Sequence, residues 1–174
     1  MRSSRKAQEA GQIFIYITAI VVVGFIIVYG YSAISKFTKR GQEVEYISLK
    51  TAMENSFKAI VSDFGSIKRP DIDIPGKYTA VCFIDKGMWG GKGTTPICNS
   101  NGPADKYNSP IACSAWIENG RSNVFLLPDG SDNFDVGTIQ MDGPYICFNV
   151  VNNKIRLQLE SLGDKVKVTE YPED

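Results

Sequence analysis

The sequence predicts an α+β protein: a long N-terminal helix, transmembrane at first and amphipathic afterwards, packed on a small antiparallel β-sheet head domain. Three observations predict it. An uncharged apolar run fills residues 12–35, an apolar stripe with helical spacing follows over residues 43–64, and beyond Pro70 the hydrophobic period falls to two. The expected divisions are a basic leader or cytoplasmic tail (1–11), a transmembrane helix (12–35), an amphipathic helical extension (36–69) and an extracytoplasmic β-rich domain (70–174).

The apolar run comes first. At about 1.5 Å per residue it spans roughly 36 Å, enough to cross a hydrocarbon core of about 30 Å. A buried strand would stop after about eight residues. A cleaved secretory signal has a shorter apolar stretch and a small-x-small cleavage site, whereas Lys36, Lys39 and Arg40 follow here. Tyr16 near one end and Tyr29 and Tyr31 near the other suit the membrane interfaces, where ring and hydroxyl are both satisfied. Membrane lipid is therefore an expected partner.

In the second helical stretch Tyr46, Leu49, Met53, Phe57, Ile60 and Phe64 recur at intervals of three and four, making one apolar face. Lys50, Glu54, Lys58 and Asp63 fall off it, and Gly65 and Pro70 supply the stop.

Strands are expected at 78–84, 123–127, 145–151, 154–160 and 165–170. Asn152-Asn153 offers a two-residue hairpin turn, since asparagine tolerates positive φ, and Gly163 serves the next turn. The last three strands read as an antiparallel meander. The alternation of Ile155, Leu157 and Leu159 gives one of them an apolar face that the amphipathic helix would cover. Residues 86–112, rich in Gly, Pro, Asn and Ser, read as a long loop.

All four cysteines, Cys82, Cys98, Cys113 and Cys147, lie beyond the apolar run. They contain no C-x-x-C knuckle, so disulfides fit better than zinc. Of three connectivities, Cys98–Cys113 would close the long loop and Cys82–Cys147 would join two strands. Disulfides imply an oxidising compartment and place the head outside the cytoplasm. The basic residues flanking the run, balanced on its two sides, do not decide the orientation.

Much chemistry is excluded. Lys+Arg and Asp+Glu are equal at 19 each, giving no electrostatic reason to bind nucleic acid. With no histidine, Ser-His and Cys-His nucleophiles and His-ligated zinc are ruled out. The glycine-rich stretch 87–94 fails as a phosphate loop, because Gly93 follows Lys92 where Ser or Thr is required. Asp129, Asp132 and Asp135 offer oxygens to calcium, but without the spacing of the twelve-residue loop they read as a polar turn. A Ser–Lys hydrolase would need a desolvated lysine beside Ser32 or Ser35, and nothing supplies one. No catalytic residue, resident metal or cofactor is expected.

A short basic leader, Gly11-Gln12 opening an apolar helix that runs into an amphipathic one, and a cysteine-bearing β head together resemble archaeal type IV pilin-like proteins. The resemblance implies processing between Gly11 and Gln12, and self-association through helices packed side by side as a filament core. The chain departs from the family at Ala10, where a basic residue is usual; Arg5 and Lys6 stand further upstream. Tyr16 occupies the fifth position after Gly11, where bacterial pilins carry an acid. A permanently anchored single-pass envelope protein, its head binding a partner, is the other reading of the same architecture.

Overall fold

The computed structural model describes residues 3–88, 98, 107, 109–128 and 130–171, with the side chains of 3–13 and of Lys39 outside the description. The described chain divides into two compact units, Met1–Val44 and Glu45–Asp174. Helix α1 runs over Ser3–Val61, and its residues from Glu45 onward belong to the second unit. The class is α+β, with one long apolar N-terminal helix and mainly antiparallel sheets.

In the second unit the short strands β1 (Ile67–Lys68) and β2 (Ile72–Asp73) lead into β3 (Ala80–Ile84) and a 3-10 turn at Lys86–Met88. Helix α2 (Pro110–Ile117) precedes β4 (Val124–Leu127), β5 (Asn133–Phe134) and β6 (Ile139–Gln140). The chain closes with β7 (Tyr145–Asn149), β8 (Lys154–Ile155), β9 (Leu157–Ser161) and β10 (Val166–Glu170). One sheet has the order β5-β4-β3-β7, all antiparallel. A second has the order β1-β9-β10-β6, in which only β10 and β6 run parallel, and β2 pairs β8 separately.

Strand β3 is buried on both faces. Val81 and Phe83 point into the larger core with Leu49, Met53, Phe57 and Ile60 of α1. Ala80, Cys82 and Ile84 point into a smaller core with Ala112 and Trp116 of α2. Phe57 stacks on Phe83 at 5.9 Å between ring centroids, and Phe83 meets Phe148 edge-on at 5.7 Å. The second sheet adds Leu157, Leu159, Val166 and Val168 to the larger core, so the stripe on α1 is covered by both sheets. Tyr46 completes the stripe by donating its hydroxyl to the Asn133 carbonyl, 2.9 Å away.

Three expectations need correction. The stripe ends at Ile60: α1 stops at Val61, Gly65 turns the chain at φ 75°, and Phe64 is 79% exposed. Spacing continues through Phe64, but periodicity does not report where the backbone leaves the helix. Within the extension expected over 36–69 the helix is continuous as far as Val61, and its residues from Glu45 fall in the second compact unit. The last three strands are not a meander. Asn152 and Asn153 do take φ of 53° and 59°, but only the bridge Val151↔Lys154 joins the arms of the turn. Strand β7 then pairs β3, and the strand expected over 154–160 splits at Arg156 between β2 and the β9–β10 hairpin. Finally, the loop expected over 86–112 runs into α2, capped by Ser109, whose hydroxyl accepts from the Ala112 N–H at 3.2 Å, with proline in the first turn.

Truncating Phe57→Ala should destabilise the head by about 3–5 kcal/mol, whereas Phe64→Ala should stay within about 0.5 kcal/mol. Urea unfolding of the full chain in detergent, followed by tryptophan fluorescence, measures both.

Candidate functional site

The first unit carries the most distinctive surface. Four consecutive residues, Phe14, Ile15, Tyr16 and Ile17, are 74%, 67%, 68% and 56% exposed. Successive residues step about 100° round a helix, so these four show apolar side chains in every direction. The same holds through Ile34, and none of the apolar window is buried. Among the described residues α1 is one helix long and apolar enough to cross a membrane.

A helix apolar all round requires cover from a protein interior or from lipid. Exposed apolar patches beyond a few hundred Å² are rare on soluble monomers. The polar groups along the segment are handled locally. Thr18 and Thr38 donate their hydroxyls to the carbonyls of Phe14 and Ile34 one turn back, at 2.8 and 3.1 Å. That arrangement lets a hydroxyl sit in a medium with no hydrogen-bonding solvent. Phe25 and Tyr29 lie tilted together at 6.3 Å on one flank. Gly11 and Gln12, the expected processing residues, fall within the helical backbone of α1, and their side chains lie outside the described residues.

The cysteines are all paired. Cys82 bonds Cys147 directly across the β3–β7 register, with Cα atoms 4.0 Å apart. This bridge lies on the α2 side of the sheet. Cys98 bonds Cys113, tying residue 98 to α2 across a sequence separation of 15. The connectivity is the one that closes the long loop and joins two strands.

The aspartates expected on the polar turn have separate partners. Asp132 accepts from the Tyr78 hydroxyl at 2.6 Å and the Lys77 ammonium at 2.9 Å. Burial works to raise its carboxyl, but those two hydrogen bonds and the lysine charge outweigh it and hold the group below the usual carboxylate range. Asp135 accepts from the Gly137 N–H and faces Lys86 at 3.7 Å. Asp129 lies outside the described residues, as do 89–94 of the glycine-rich stretch, including Trp89. Among the described residues no three His, Cys, Asp or Glu side chains gather to hold a metal. At the exposed Lys154, the hydrogen bond to Asp71 raises the ammonium above its ordinary value.

Two buried polar side chains escaped the sequence reading. Asp85 is 3% exposed, and its oxygens accept from the N–H groups of Gly87 at 2.8 Å and Met141 at 3.1 Å. Asn123 donates to the Gly137 carbonyl at 2.7 Å and accepts from the Val136 N–H at 3.0 Å, standing in for a strand partner. Both satisfy backbone groups at strand ends, and no spacing marked either. Ser32, Ser35 and Lys36 all lie on the exposed surface of α1.

Comparison with protein-family models, with curated proteins and with solved structures finds no match to this chain.

Removing Cys98–Cys113 by a double serine replacement should cost about 3 kcal/mol, and removing Cys82–Cys147 about 4 kcal/mol, on loop-closure entropy. Melting with and without reductant checks the sum: an unchanged midpoint would contradict the structural role of the bridges. For Asp132, the lowered folded value means its stabilisation is complete above the ordinary carboxylate value of about 3.9 and fades as pH falls through the folded one. On acidification Asp132→Asn should therefore lose less stability than the wild type, read from thermal midpoints across the acid range.

Proposed function

We propose that this chain is a membrane-anchored, non-enzymatic protein with an extracytoplasmic head, acting as a pilin-like structural subunit or assembly component of a surface filament. One observation carries the reading: the segment from Phe14 to Ile34 is apolar on all sides and wholly uncovered, while the same helix from Leu49 to Ile60 is built into the head. Such a segment is stable in lipid, and it is equally stable among copies of itself, because helix-to-helix packing replaces lipid contact.

Support for the extracytoplasmic side comes from the two disulfides, which persist in oxidising compartments. Support for the filament role comes from Gly11-Gln12 at the head of the apolar run, the place where pilin-like leaders are cut. The head contributes a doubly bridged body.

Intact-mass measurement of the chain purified from its own membranes tests the reading. A mature protein beginning at Gln12 is the expected outcome, with side-by-side cross-links between copies through the helix. A chain that keeps Met1 in cell membranes would overturn the filament role and leave a permanently anchored envelope protein.

A further inference from the structure

We infer that the helix face just beyond the apolar run binds the phosphate-bearing headgroup of an anionic lipid. The inference rests on the membrane reading above and names a partner for one end of the anchor. Tyr29, Ser32, Ala33, Lys36, Phe37 and Arg40 line a single shallow concavity on α1. Their spacing of three and four stacks Ser32, Lys36 and Arg40 one turn above another, with the Tyr29 and Phe37 rings beside them.

Neither cation has an acidic partner among the described residues. No ion pair among the described residues involves Lys36 or Arg40, although seven such pairs occur elsewhere. The first acid beyond the apolar run is Glu43, and it is in none of those pairs. Ser32 also differs from its neighbours: Thr18 and Thr38 spend their hydroxyls on the carbonyl a turn back, and Ser32 makes no such bond. One ammonium, one guanidinium and one free hydroxyl therefore face the same hollow, a donor set suited to phosphate oxygens.

The height along the helix selects the occupant. The eighteen or so residues from Phe14 to Tyr31 rise about 27 Å, close to a hydrocarbon thickness of about 30 Å. With acyl chains alongside that stretch, residues 32–40 fall in the headgroup layer. The aromatic rings of Tyr29 and Phe37 then lie at the boundary such residues favour. A second copy at the same level would set Lys36 and Arg40 against identical charges. A lipid phosphate meets them with the opposite sign.

The test is native mass spectrometry of the full chain released from nanodiscs of mixed phosphatidylcholine and phosphatidylglycerol. Wild type should retain phosphatidylglycerol above its share of the bilayer. The double variant Lys36→Gln, Arg40→Gln should lose that excess, about fivefold per charge removed. Lys36→Arg with Arg40→Lys should keep it. An equal excess in the glutamine variant overturns the inference. So does a variant that alters cross-linking between copies while the lipid ratio stays the same, which would mark the face as a protein contact. A wild-type chain that leaves the nanodisc altogether overturns the anchoring reading, and this inference with it.

Discussion

Strand β3 has no side that faces water, and the head is arranged around that demand. A strand with alternate side chains on opposite faces needs an apolar cover on each when all are apolar. On one face Val81 and Phe83 receive Phe57 and its neighbours on α1. On the other, Cys82 is bridged to Cys147 and lies under Trp116 of α2. The second sheet closes the larger core from beyond α1's stripe, through Leu157, Leu159, Val166 and Val168. Losing either cover would leave β3 wet along its whole length, so the helix stripe and the disulfide-tethered α2 serve the same strand from opposite sides.

The second cover depends on a few local contacts. α2 is eight residues long, too short to be stable alone. It is started by Ser109, held at Cys113 by a disulfide and buried through Ala112 and Trp116. Ser109 in turn lies against Gly130, where a Cβ would come within 2.4 Å of the serine hydroxyl oxygen and where φ is 74°. Glycine is thus required there on two counts, and the cap of α2 is coupled to the turn after β4.

What could be read from the sequence follows from which signals are local. The stripe on α1, the five longer strands and the left-handed turn at Asn152-Asn153 each announce themselves within a few residues. Partner choice is not local. The alternation of Ile155, Leu157 and Leu159 holds across Arg156, yet the two halves pair different strands. Nor did composition flag α2, because Ser109-Pro110, a good helix start, closes a stretch whose Gly, Asn and Ser content reads as loop. Asp85 and Asn123 were invisible for a similar reason: beyond the local bond from Gly87 to Asp85, their partners are backbone groups further along the chain, Met141 for Asp85 and residues 136–137 for Asn123. For the candidate surface the position is reversed. The length and apolarity of the segment are properties of sequence alone and were legible; that nothing in the second unit covers it is seen only in the fold.

The kind of contact that segment can make is nevertheless constrained. Helices in lipid gain nothing from hydrophobicity by associating, because lipid is as apolar as the neighbour; packing must supply the attraction. Between Phe14 and Ile34 no two glycine, alanine or serine residues stand four apart, so the close backbone approach of a small-xxx-small dimer is not available. Contact between copies would instead seat Ile, Val and Phe side chains between one another, at ordinary interaxial distances of about 8–10 Å. Gly24 and Gly30 have open space beside them and would be the places where a neighbour's large side chain fits deepest. Association of that sort is distributed over many weak contacts rather than locked at one motif. It would tolerate exchange of lipid for protein along the helix, since neither neighbour is held by a specific contact.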